Sequence, residues 1–256
     1  MLGLTLAAAS LGFAPRAPHL SSLPASARRS AAPPAALAPS GVDELPLAVQ
    51  AGCFGATFVG LGASARVIDS AYRSAVRRPS TLWDVWEIGA ALLLGAIFVT
   101  AGRSHFTMPE AFAAIYPPQG TWGFWYLPGS AEFHVAWTGV AEIGGGSGLL
   151  TGALLDARAL LSQTQQAKDP RRLRPLAARA LFVLVLCVTP ANFFMFSHGA
   201  TMPGIVDGPL TMEWHLARFL AQVSVLSVLL TLSELQGLAA GRSDDEDDGG
   251  VPIAPR

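Results

Sequence analysis

Four apolar runs, at about 83–102, 133–155, 176–196 and 214–232, decide most of what this chain can become. Each is close to the roughly 20 residues an α-helix needs to cross the hydrocarbon core of a bilayer. Transmembrane barrel strands would be half as long and would alternate in polarity, so helices are expected. A weaker fifth run, 45–65, holds Gln50 and four glycines but carries no charge after Glu44. It reads either as an extra N-terminal span or as an interfacial or targeting helix. Only 14% of residues are charged and mean hydropathy is +0.42, against about 25% charged in soluble chains. The expected fold is therefore all-α: a four-helix bundle in a membrane, with a possible extra N-terminal span.

The chain repeats itself. Ser104-His105-Phe106-Thr107-Met108-Pro109 returns as Ser197-His198-Gly199-Ala200-Thr201-Met202-Pro203, and Glu132-Phe133-His134 returns as Glu213-Trp214-His215. Each phrase ends or opens an apolar run, so the duplicated unit is a pair of helices. An even number of spans per unit makes the two copies parallel, related by an axis along the membrane normal.

Orientation follows from arginine. Arg66, Arg73, Arg77 and Arg78 precede the first clear run, and Arg158, Lys168, Arg171, Arg172, Arg174 and Arg179 lie about the join of the second and third. The loops 107–130 and 199–210 contain no Lys or Arg. The positive-inside rule sets the arginine loops on the cytoplasm-equivalent side and the histidine phrases on the other. Arginines beside membrane spans do not make a nucleic-acid surface, so no nucleic-acid partner is expected. The partners expected are the lipid bilayer and redox subunits.

Residues 1–40 read as a targeting presequence. A short apolar stretch ends in small residues, and an acid-free, Arg-, Ala-, Ser- and Pro-rich segment follows. Signal and transit features in series resemble the bipartite leader of complex plastids, with Phe13 after the cleavage point; mitochondrial and secretory addresses are the alternatives. The organisation is then 1–40 leader, 41–80 possible span and basic linker, 81–236 membrane domain and 237–256 disordered acidic tail. Cys53 and Cys187 lie in apolar runs and read as small buried hydrophobes.

Within the second run six glycines recur, and Gly144 with Gly148 forms a small-xxx-small face for helix packing. His134, Thr138 and Glu142 stack at i, i+4, i+8, and His215, Arg218 and Gln222 share a face of the fourth run. A mid-membrane carboxylate is costly unless protonated or paired, which makes Glu142–Arg218 or Glu132–Arg218 candidate ion pairs. Pro190 should kink the third run, with Asn192 free to satisfy the released carbonyls, a neighbouring helix or a bound head group.

These positions carry a family resemblance. Ala101-Gly102-Arg103-Ser104-His105-Phe106 with Pro109, Thr138-Gly139-Val140-Ala141-Glu142 before the glycines, and Pro190-Ala191-Asn192 occur in the order of the DoxX-like small membrane proteins, over about 83–235. The resemblance implies a four-helix membrane bundle and a link to redox biology, such as quinone-linked oxidoreductase subunits or oxidative-stress systems. It does not account for the Glu-aromatic-His pairs.

If both repeats fold alike, His105, His134, His198 and His215 lie at one depth, with Glu132 and Glu213 beside them. Histidine with carboxylate suits a metal ion, facing histidines suit haem, and the same groups hydrogen-bond a quinone. The candidate cofactor-binding set is His105, His134, His198, His215, Glu142, Arg218 and Asn192. The candidate metal set is His105, His134, His198, His215, Glu132 and Glu213. The competing reading is that these residues anchor the interface and that the acids offset helix dipoles, beside an aromatic belt of Tyr116, Trp122, Phe124, Trp125 and Tyr126. The alternative function is a non-catalytic scaffold or small-solute carrier, the latter needing a polar path through Glu87 and Gln222.

In sealed vesicles, a protease confined to the arginine-loop side is expected to spare 107–130. Cleavage of 107–130 from that side would reverse the orientation.

Overall fold

The computed structural model describes residues 40–75, 81–162, 173–206 and 208–233. The leader before residue 40, the acidic tail and Lys168, Arg171 and Arg172 of the basic loop lie outside these. The described residues form seven helices. They are α1 (Leu47–Ala75), α2 (Thr81–Thr107), the short α3 (Pro109–Ala113), α4 (Ala131–Leu161), α5 (Leu173–Cys187), α6 (Thr189–His198) and α7 (Met212–Ser233), with 3-10 turns at Val42–Glu44 and Thr121–Gly123. Among the described residues there is no strand.

Four helices are long and apolar enough to cross a membrane: Leu47–Ala75, Leu82–Thr107, Leu173–His198 and Met212–Ser233. The weak fifth run, 45–65, is thus part of a full 29-residue helix, Leu47–Ala75. The glycine-rich second run, α4, is not among those four, because its glycines and Glu142 dilute its hydropathy. It is 31 residues long, about 46 Å at 1.5 Å per residue, and it packs lengthwise between α2 and α5. Helices α2, α4, α5 and α7 make the bundle, and α1 lies outside it against α7. The core is aliphatic and shared by all of them: Leu61 of α1, Ala91 of α2, Leu149 of α4, Leu181 of α5 and Leu226 of α7 are fully buried.

Glycine sets the spacing of α4 from both neighbours. A β-carbon at Gly102 of α2 would lie 2.7 Å from the Gly139 carbonyl oxygen, and one at Gly95 2.8 Å from that of Gly146. Both pairs recur at seven residues, two turns, so one seam runs along α2 and α4. The opposite face of α4 meets α5: a β-carbon at Gly148 would sit 2.8 Å from Ala177 Cβ, and one at Gly152 2.6 Å from the Arg174 backbone nitrogen. The expected Gly144–Gly148 face is therefore corrected. A β-carbon at Gly144 would meet nothing within 4 Å, and packing uses two faces rather than one.

Close approach at Gly152 lets Arg174 reach past α4. Its guanidinium pairs with Glu87 of α2 at 2.9 Å and with Asp156 of α4 at 2.7 Å. Arg73 binds Asp69 through two hydrogen bonds of 2.9 Å, and Asp69 also accepts from Thr231 of α7, which fixes α1 to the bundle. Arg179 donates to the Ser233 carbonyl at 3.0 Å, the last residue of α7. Arginines that signal orientation in the sequence thus also tie the helices together.

The third run breaks where Pro190 predicts. Helix α5 ends at Cys187 and α6 starts at Thr189, with Pro190 in its first turn. The Val185 carbonyl at the break accepts from the Thr189 hydroxyl at 2.9 Å and from the Gln222 amide at 3.4 Å.

Gly102→Val and Gly146→Val are each expected to destabilise the fold by roughly 1–3 kcal/mol, the usual cost of overpacking. Gly144→Ala should stay within about 0.5 kcal/mol. Thermal unfolding in detergent, followed by helical circular dichroism, separates these outcomes.

Candidate functional site

A cavity of about 970 Å³ opens on the histidine side of the bundle. Its walls are largely apolar, and its polar groups are few: His105, Thr138 and Glu142 on one side, Asn192, Arg218 and Gln222 on another, and His134 with Tyr116 toward the loop.

The first polar group is set by the glycine seam. Gly139 lies so close to α2 that an added β-carbon would meet His105 Cβ at 2.8 Å, which brings the imidazole against α4. His105 Nδ1–H donates to the Val135 carbonyl at 2.9 Å, with the Thr138 hydroxyl 3.2 Å away. Phe112 stacks on the ring with centroids 3.9 Å apart. With Nδ1 committed, Nε2 faces Glu142 Oε2 at 3.6 Å. That distance suits an ion pair but is too long for a direct hydrogen bond. Glu142 Oε2 is buried and has no hydrogen-bond partner among the described residues. Buried polar atoms are nearly always satisfied, so this oxygen is a group with unmet capacity inside a cavity.

The second group grows from the break at Pro190. Gln222 donates to the Thr189 hydroxyl at 2.7 Å and accepts from Asn192 at 3.2 Å. The Asn192 side-chain Oδ1 in turn accepts from Arg218 Nη2, and Arg218 Nη1 points at the Met195 sulfur at 3.1 Å. A thioether is a weak acceptor and carries no charge. Among the described residues no carboxylate pairs with Arg218, so the expected Glu142–Arg218 and Glu132–Arg218 ion pairs are not formed. Glu142 faces His105 instead, and Glu132 is exposed at the first turn of α4. Asn192 binds α7 rather than the carbonyls freed by Pro190. Thr189 and Gln222 take that task.

The four histidines do not assemble into one centre. Among the described residues no group of three His, Cys, Asp or Glu side chains is placed to hold a metal ion. Their nitrogens show why. His134 accepts from Trp137 Nε1 at 3.0 Å and donates from Nε2 to the Pro128 carbonyl at 2.8 Å, so both its nitrogens are committed. His198 Nδ1 shares a 2.8 Å hydrogen bond with the Ser197 hydroxyl. His215 lies edge-on against Phe196 with its Nε2 buried and unpartnered. Glu132 and Glu213 are exposed first-turn acids, placed to offset helix dipoles. The metal set His105, His134, His198, His215, Glu132 and Glu213 is corrected on these grounds. Of the cofactor-binding set, His105, His134, Glu142, Asn192 and Arg218 line the cavity, whereas His198 and His215 do not.

The second Ser-His copy anchors a loop. Trp122 is 1% exposed and has φ 55, a left-handed conformation rare for a bulky residue. Its indole N–H donates to Ser197 Oγ at 3.0 Å, and its ring packs on Phe54 and Phe193. Trp122 therefore leaves the expected aromatic belt and becomes a plug between the first loop, α1 and α6. The flanking glycines, Gly120 at φ 85 and Gly123 at φ 78, are the sequence signal that a tight buried turn stands there. Nearby, Tyr116 stacks on His134 with centroids 4.9 Å apart, and burial pushes its phenol above the ordinary value, which keeps it neutral. Cys187 is exposed at the end of α5 rather than buried.

The chain is consistent with an integral membrane protein whose polar groups converge on one bundle cavity. Comparison with known proteins finds no matching protein-family model, no matching curated protein and no matching solved structure.

Trp122→Ala is expected to destabilise the protein by about 3–5 kcal/mol and Ser197→Ala by about 1–3 kcal/mol, because the buried indole N–H loses its acceptor. Glu132→Gln and Glu213→Gln, at exposed first-turn acids, should each leave the unfolding midpoint nearly unchanged. Chemical unfolding in mixed micelles measures all four.

Proposed function

We propose that this chain is a DoxX-like integral membrane protein that serves as a subunit or accessory of a membrane redox system, and that its cavity binds the head group of a quinone-class ligand. The leader favours a plastid as its address. One observation carries the reading: the residues on which the family resemblance rests, His105, Glu142 and Asn192, come from three separate helices and line a single cavity.

The donor set suits a quinone head. Such a ligand offers two carbonyl oxygens when oxidised and two hydroxyls when reduced. Arg218 supplies N–H donors that Asn192 and Met195 do not exhaust, since a guanidinium has five. With Nδ1–H committed to Val135, His105 Nε2 and Glu142 Oε2 stand 3.6 Å apart as two titratable atoms without a hydrogen bond to each other, open to a ligand. The dyad can thus donate to a carbonyl or accept from a hydroxyl. Largely apolar walls with a few convergent polar groups are the ordinary build of a small-molecule site.

A small-solute carrier fits less well. It needs a polar route through the bundle toward the arginine side, and Glu87 and Gln222 are the residues that would make one. Glu87 is held by Arg174 at 2.9 Å and Gln222 by Thr189 at 2.7 Å. A scaffold fits less well because it leaves Glu142 Oε2 buried with nothing to bind.

The test is equilibrium binding of a short-chain 1,4-benzoquinone to the protein in nanodiscs, read by tryptophan quenching. Saturable binding is expected, weakened about tenfold or more by Arg218→Lys and by Glu142→Gln, each tenfold being about 1.4 kcal/mol. Absence of saturable binding by the wild type would overturn the reading.

A further inference from the structure

We infer that the ligand of this cavity enters sideways from the lipid, through an apolar opening between α4 and α5 on the histidine side, with its tail left in the bilayer. The inference rests on the quinone-class reading above and adds its route.

The two helices change spacing along their length. Toward the arginine side they are in backbone contact, through Gly148 on Ala177 and Gly152 on Arg174. At Gly145 the neighbour is already a side chain, Leu181, 2.5 Å from a β-carbon built on the glycine. Toward the histidine side the α4 positions facing the cavity carry Thr138, Trp137 and Phe133 instead of glycine. On the other edge α5 stops at Cys187, and the chain restarts as α6 beyond Val188. The break therefore falls beside the cavity.

Cavity-lining residues of both helices reach the outer surface there. Val183 is 58% exposed, Phe133 59% and Trp137 37%, and all three line the cavity from the outer surface of the bundle. Cys187 lines it as well and is exposed. None of these four side chains is charged. With α5 and α6 together, Leu173–His198, long and apolar enough to cross a membrane, an uncharged edge of this kind meets acyl chains rather than water. A water-borne polar solute would have to cross it unaided. A membrane-borne amphiphile would carry its head inward to Glu142 and Arg218 and leave its tail among lipids, with no desolvation of a charged rim.

Cys187 reports on this opening directly. With Cys53→Ala leaving one described thiol, two readouts in nanodiscs test the route. First, a nitroxide on Cys187 is expected to be relaxed more strongly by dissolved oxygen, which partitions into lipid, than by a water-soluble nickel chelate; the reverse order overturns the lateral opening, whatever binds inside. Second, a bulky maleimide adduct at Cys187 is expected to slow association of a decyl-substituted benzoquinone about tenfold or more, and bound quinone to slow alkylation of Cys187. Unchanged association with the adduct in place overturns the route while leaving the quinone reading intact. Failure of the unmodified protein to bind the quinone overturns the quinone reading, and the nitroxide order still decides whether the cavity opens to lipid.

Discussion

The glycine seam between α2 and α4 is the constraint on which the rest of the structure depends. Gly95, Gly102, Gly139 and Gly146 let two backbones meet where any side chain would hold them apart. In a bilayer no hydrophobic force favours helix association over contact with lipid, so such close packing supplies much of the attraction. It also fixes the chemistry. His105 can donate to the Val135 carbonyl, and face Glu142, only because Gly139 gives it room. On the other side of α4 the same device seats Arg174, whose two ion pairs join α2, α4 and α5.

The duplicated phrases have diverged into different jobs. In the first copy, Ser104-His105 leads to the cavity and the dyad with Glu142. In the second, Ser197-His198 holds the indole of Trp122 and closes the first loop over α1 and α6. The helix-start pair diverges likewise: His134 is fixed by Trp137 and Pro128, whereas His215 packs on Phe196. A parallel repeat brings the copies to one end of the bundle but not around one ion. The second half contributes to the cavity through residues with no counterpart phrase, Asn192, Arg218 and Gln222.

Length, apolarity and proline made the architecture legible. The helices and the break at Pro190 lie where the runs and the missing N–H place them, and the weak 45–65 run proves to be a helix, Leu47–Ala75, long and apolar enough to span. The glycines announced packing but not direction, because a helix with six of them offers several small faces and only the neighbours choose among them. The site was half legible. Glu142, Arg218 and Asn192 stood out as polar residues in apolar runs, yet their partners depended on helix rotation, which spacing within one helix does not set. Trp122 was missed because an aromatic in a loop at an interface reads as a belt residue. Only its flanking glycines hinted at a buried turn.

Glu142 Oε2 lies buried in the cavity without a hydrogen-bond partner among the described residues, and we propose that a ligand satisfies it. Infrared difference spectroscopy tests it most directly: spectra of the protein in nanodiscs are recorded before and after addition of a short-chain 1,4-benzoquinone. A carboxyl or carboxylate band that shifts in the wild type and is missing from Glu142→Gln is the result predicted here. Identical difference spectra from the two proteins would contradict it.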